Sequence, residues 1–141
     1  MYFKPLLLPL LAQVALSFIV MISMYRSRVT EIKSKNIPSQ KINTRSKSKE
    51  HLTDSAPAAD NYSNLFELPV LFYTAILLTL ILMVQDSILV TLAWAFVVTR
   101  YLHSFIHVTY NLVMHRFSVF LFSSFVLLAY WIRLGWIIIQ S

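Results

Sequence analysis

Four apolar runs divide the chain, each long enough to cross a bilayer and each bounded by a polar break. The first follows Lys4 and extends from Leu6 to Met24. Its Pro5 and Pro9 are confined to the opening turns, where a helix tolerates proline because its first N–H groups have no intrahelical partner. This run predicts a span over residues 5–25. A cleaved signal peptide is the competing reading, but Tyr25-Arg26-Ser27-Arg28 lacks the small residues of a cleavage site, so a retained helix is expected. From 26 to 62 the chain is polar, with Pro38, Pro57 and no hydrophobic period, which predicts a loop, mobile in part. The second span is predicted over 63–84, through LFELPVLFYTAILLTLILMV. Gln85-Asp86-Ser87 then forms a short turn into a third span over 88–110, so spans two and three form an antiparallel hairpin. The fourth is predicted over 117–139. Near its far end it carries Tyr130, Trp131, Arg133 and Trp136, the aromatic belt and snorkelling cation of a membrane interface.

Composition agrees with one membrane domain over 1–141: of 141 residues 57% are hydrophobic, 13% are charged and one is glycine. The net charge of +6 reports topology, because eight of the twelve Lys and Arg residues lie between Arg26 and Lys49. By the positive-inside rule that loop is cytoplasmic and both termini are on the opposite side, most simply in a bacterial inner membrane. The run lacks the aromatic interleaving of a nucleic-acid surface, and its natural neighbours are anionic headgroups. With no cysteine, disulfides, thiolate metal sites and a catalytic thiol are excluded.

The third span does not read as a plain membrane helix. Its first charge, Arg100, arrives after only about half a membrane span. At about 100° per residue, Arg100, His103, His107 and Asn111 fall within roughly a quarter of the circumference, with Tyr110 at the edge of that sector. A central Arg facing lipid would cost between ~3 and ~17 kcal/mol, so the stripe must face protein, ligand or trapped water. Antiparallel pairing brings Asn64 and Glu67 of the second span towards this stripe, and Arg116 opens the fourth span at the same end. The combination describes a polar pocket at the basic-loop side, or a structural network in which Glu67, Arg100 and the histidines neutralise one another. His103-x-x-x-His107 has the spacing of a metal pair, but it lacks the Glu of a zinc protease motif, and membrane di-iron enzymes need more histidines than the four present; no metal is expected.

Asn64-x-x-Glu67-x-Pro69 opening the second span, Arg100-x-x-His103 in the third, and Arg116 at the junction with the fourth resemble the MAPEG family, the membrane-associated proteins of eicosanoid and glutathione metabolism. The likeness is to its small prokaryotic branch, through NLFELPVLFY and RYLHSFIHVTYNLVMHRF, and takes in nearly the whole chain outside residues 33–59. The resemblance implies an all-α four-transmembrane-helix bundle assembling as a homotrimer, with glutathione as co-substrate between subunits near the cytoplasmic side. It further implies that Asn64 and Glu67 hold glutathione, that Arg100 and His103 line its site, and that Arg116 is catalytic, assisting thiolate formation. Three features depart from the pattern, one of them Phe117, which stands where some members have serine. Asp60, Asn61 and Ser63 stand where glutathione-using members have arginine, and His107 replaces a tyrosine for which Tyr110 is the substitute at hand. The implied function is a glutathione-dependent transferase or peroxidase acting on lipophilic electrophiles. The alternatives are a non-catalytic membrane scaffold and, less favoured without an internal repeat, a proton-linked transporter.

Overall fold

The computed structural model describes residues 4–140, and all of its regular structure there is helical. Helix α1 covers Lys4–Ser34, a 3-10 turn covers Ser39–Ile42, α2 covers Arg45–His51, α3 covers Ala56–Asn64, α4 covers Leu68–Ile81, α5 covers Ser87–Val108 and α6 covers Val113–Gln140. Four helical stretches are long and apolar enough to cross a membrane: residues 5–34, 56–81, 87–108 and 113–140. Many large apolar side chains on them are exposed, among them Leu11, Phe18, Ile81, Phe125 and Ile132, as expected where the solvent is hydrocarbon.

The core lies between α4, α5 and α6, with Leu6 of α1 closing it. Phe72 of α4 stacks on Phe96 of α5, ring centroids 4.7 Å apart, and Ala75, Ile76, Ala93, Leu127 and Leu134 fill the space around them. The most extensive helix–helix packing is α5 on α6. Helices α4 and α5 are consecutive and meet through large side chains, so the expected hairpin is joined by aromatic packing more than by close backbone approach. Within the core Thr79 and Tyr130 exchange a hydrogen bond of 2.9 Å between their hydroxyls, which ties α4 to α6.

Three features differ from the sequence-based expectation. Helix α1 does not stop at residue 25, because RSRVTEIKS contains no breaker, and the helix runs on until Asn36 takes a left-handed φ of 48°. The polar segment 26–62 is not a loop throughout. Glu31, 3% exposed, gathers it back against α1 by accepting from the Asp54 N–H (3.0 Å), the Ser55 N–H (2.8 Å) and the Ser55 hydroxyl (2.7 Å) while pairing with Lys35 at 2.6 Å. This clasp fixes the start of α3, and hydropathy cannot register it. The second span, expected to be continuous over 63–84, starts earlier and is broken at residues 65–67. Pro69 is the cause: it has no N–H to offer the Leu65 carbonyl one turn back, and its ring crowds that carbonyl. The chain bridges the gap with short bonds such as Phe66 N–H to Ser63 O at 3.0 Å.

At the end remote from the basic segment, α4 closes with Met83 at φ 54°, its N–H bonded to Leu80 O and that of Val84 to Thr79 O. Asp86 then caps α5 by accepting from Leu89 N–H at 3.0 Å, and it receives Arg133 of α6 through Nη2 at 2.6 Å and Nε at 3.2 Å. Arg133, expected only to snorkel, thus ties the α4–α5 turn to α6.

Two outcomes follow for stability. Glu31→Ala leaves the N–H groups of Asp54 and Ser55 without their acceptor, at a cost of about 2–4 kcal/mol to the folding of the segment. Hydrogen exchange should rise at those two amides and through α2 while the α5–α6 core stays protected. Burial pushes the Asp86 carboxyl up, but the Arg133 and Leu89 hydrogen bonds outweigh it and hold the group below its usual range. A depressed carboxylate contributes stability that is present above about pH 4 and disappears as pH falls below it. Melting temperature in detergent should therefore fall on acidification below about pH 4, and Asp86→Asn should melt lower at neutral pH with a flatter profile.

Candidate functional site

The break at Pro69 sets the geometry of the polar end. In an uninterrupted helix the Asn64 carbonyl would accept from the residue four positions on; here it accepts from Glu67 N–H at 3.4 Å and is free to accept from Arg100 Nη2 at 3.2 Å. Arg100 is fully buried, eight residues and so roughly 12 Å from the end of α5. Among the described residues its Nε and Nη1 have no hydrogen-bond partner, and it forms no salt bridge. His103 and His107 are buried on the same face, ring centroids 5.7 Å apart, and His103 also faces Phe120 of α6 at 6.1 Å. Among the described residues no third His, Asp or Glu joins the two histidines in a set that could hold a metal.

Beside them is a cavity of about 210 Å³ lined by Asn64, Glu67 and His103, with Val113, Arg116, Phe117 and Phe120 forming its α6 wall. Sequence reasoning named four of these residues, and the fold brings them together from three helical stretches and the break. Glu67 sits in the break itself as an exposed carboxylate with no salt bridge among the described residues. Arg116 lies in the first turn of α6 and donates from Nη1 to the Asn111 side-chain oxygen at 2.8 Å. A cation there adds to the positive end of the helix dipole, which costs the fold and favours an anion.

Other expected residues are placed differently. Asn111 and Tyr110 were read as continuing the α5 stripe, but α5 ends at Val108, and the chain turns through Thr109 and the left-handed Asn111 at φ 46°. The helical angle no longer applies beyond that point. Tyr110 is exposed and packs edge-on against His115, 5.7 Å away, outside the cavity wall. His107 is buried beside His103 without lining the cavity. Asn61 was missed as a buried polar contributor: its side-chain oxygen accepts from Ser104 at 3.0 Å while its Nδ2 has no partner. Its spacing of three from Asn64, on one helix face, was the available signal. Gln13, fully buried on α1 with neither amide atom partnered, was also missed, although it is the only carboxamide in the first apolar run.

The fold and this site define an integral membrane protein of four spans with a polar, cation-rich recess at one end. The sequence model of the MAPEG family matches residues 6–136, so the chain belongs to that family. Comparison with curated proteins and with solved structures gives no match.

Arg100 is the position where structural and functional demands can be separated. A buried cation with two unpartnered nitrogens is a poor contributor to stability, and an apolar side chain of similar length removes its desolvation cost. Arg100→Met should therefore leave the thermal stability of the detergent-solubilised protein unchanged or higher. A drop of about 3 kcal/mol or more would assign Arg100 to the fold.

Proposed function

We propose that this MAPEG protein binds glutathione in the recess around Asn64, Glu67, His103 and Arg116, as a homotrimer, and transfers it to lipophilic electrophiles or uses it to reduce lipid-derived peroxides. The observation carrying the reading is the convergence of these four residues on one cavity beside a buried Arg100 that makes no salt bridge among the described residues. The charges fit the ligand. Arg116 and Glu67 line the recess and the buried Arg100 lies beside it, about +1 in sum, while glutathione brings two carboxylates and one ammonium group. Glu67 is suited to the ammonium, Arg100 to a carboxylate through its unpartnered nitrogens, and the Asn64 amide to the peptide backbone.

Arg116 supports the chemical step. A guanidinium beside a thiol favours the thiolate, and the thiolate is the nucleophile. In transfer, sulfur forms a bond to the electrophilic carbon as the carbon's bond to its leaving group breaks, or as a conjugated double bond takes up a proton. Phe117 and Phe120, on the same wall, offer an apolar approach for a substrate arriving from the bilayer.

The cavity is smaller than the roughly 300 Å³ at which small-molecule pockets usually begin, and Glu67 is exposed at its edge. Both support completion of the site by a neighbouring subunit. In this reading the recess and the basic segment face the cytoplasm, in a bacterial inner membrane, with both termini on the other side. A second reading, a non-catalytic scaffold, draws on the Arg100 bond to the Asn64 carbonyl, which joins α3 to α5 without any ligand.

Calorimetry on the folded protein in detergent separates the two. Glutathione should bind saturably. Glu67→Ala should weaken binding tenfold or more, the worth of a charged hydrogen bond. Arg116→Ala should bind glutathione but lose the ultraviolet thiolate band. No saturable heat from a folded, correctly assembled protein would leave the scaffold reading, in which Glu67→Gln lowers assembly stability with no ligand-dependent effect.

A further inference from the structure

A second, larger cavity of about 690 Å³ lies where the basic segment folds back, walled by α1, α2 and α3. Three cations face it: Arg28 from α1, and Arg45 and Lys49 one turn apart on α2. None of the three is in an ion pair among the described residues. Arg28 Nε is buried with no hydrogen-bond partner, and Arg45 makes only a long bond, 3.4 Å, to the Ser63 hydroxyl. The one carboxylate in the wall is Asp60, which leaves the cavity near +2.

Ordinary positive-inside residues extend into water, where their charge is solvated. Here three line one half-open cavity whose shape the buried Glu31 clasp helps to set, since Ser55, which Glu31 binds, is itself part of the wall. Asn43, Thr44, Ser48 and Ser63 add polar groups to the wall, and Met24, Leu52 and Tyr62 give it an apolar portion. Met24 is the last residue of the apolar run of α1, which puts this wall near the level at which that run meets lipid headgroups.

We propose that this cavity binds the headgroup of an anionic phospholipid from the leaflet on the basic-segment side. Arg28, Arg45 and Lys49 hold the phosphate, and the first acyl methylenes lie against Met24, Leu52 and Tyr62. Guanidinium groups match phosphate oxygens in pairs, and Lys49 adds a point charge. The net positive wall disfavours a quaternary ammonium headgroup. The site is separate from the glutathione recess and its occupancy does not depend on that reading.

The test is a calorimetric titration of the delipidated full chain, without glutathione, using dihexanoyl phosphatidylglycerol, dihexanoyl phosphatidylcholine and inorganic phosphate as probes. The glycerol lipid should bind saturably and at least tenfold more tightly than either of the others. Arg45→Gln with Lys49→Gln, both on exposed positions of α2, should reduce that preference at least tenfold. Lys33→Gln with Lys41→Gln removes the same charge from the same segment outside the cavity and should leave binding within about twofold. Equal losses in the two double variants would reduce the effect to diffuse attraction and overturn the proposal. So would equal affinity for the two lipids, while inorganic phosphate binding as tightly as the glycerol lipid would make this a free-anion site. Tryptophan fluorescence melts, which report on Trp94, Trp131 and Trp136 in the spans, check that each variant is folded.

Discussion

The burial of Arg100 constrains everything at the polar end of this bundle. A guanidinium this far inside a membrane helix must find acceptors within the protein, because hydrocarbon supplies none. A regular helix offers no spare carbonyl oxygens of good geometry, since each is already committed to the turn above it. The second span resolves this by breaking. Pro69 cannot bond back to Leu65, the helix opens over residues 65–67, and the Asn64 carbonyl becomes available to Arg100. The same break puts Glu67 outside any regular helix, at the mouth of the recess. One proline thus both satisfies the arginine in part and displays the carboxylate.

The two ends of the bundle are built on opposite principles. At the far end the polar groups are matched: Asp86 receives both Leu89 N–H and Arg133, Thr79 and Tyr130 share a hydrogen bond, and α4 closes with its last carbonyls bonded. At the basic end, polar atoms are buried without partners on Arg28, Asn61 and Arg100. Native interiors seldom tolerate such atoms, and where they cluster, stability has been given up for something else. The matched end locks α4, α5 and α6 together, so the unmatched end can stay open without loosening the fold.

Much of this was legible in the sequence, and the parts that were not have particular causes. Hydropathy located the four spans because lipid solvation imposes a long apolar run on each, and helical periodicity put Arg100, His103 and His107 on one face because α5 is regular through Val108. Periodicity failed at Tyr110 and Asn111, where the helix had already ended. The break at 65–67 was signalled by Pro69, but a proline near a helix start is also compatible with an unbroken span, so the residue type alone did not decide. Least legible was the folded segment 26–62. Its structure depends on one carboxylate, Glu31, reaching two backbone amides more than twenty positions along the chain, and such a contact leaves no periodic trace.

That segment also relates the two cavities. Helix α3 separates them: Ser63 lines the larger one and Asn64, the next residue, lines the recess. The position of α3 is set from one side by the Glu31 clasp at its start and from the other by Arg100 and Ser104, which bond Asn64 O and the Asn61 side chain. The short bonds through residues 65–67 are weaker restraints than a regular helix, so α3 is coupled to α4 less tightly than in one continuous helix. An anion held by Arg28, Arg45 and Lys49 would tie α1 to α2, while Asp60 of α3 faces the same cavity with like charge. In this arrangement the lipid surface and the recess meet at two adjacent residues of one short helix.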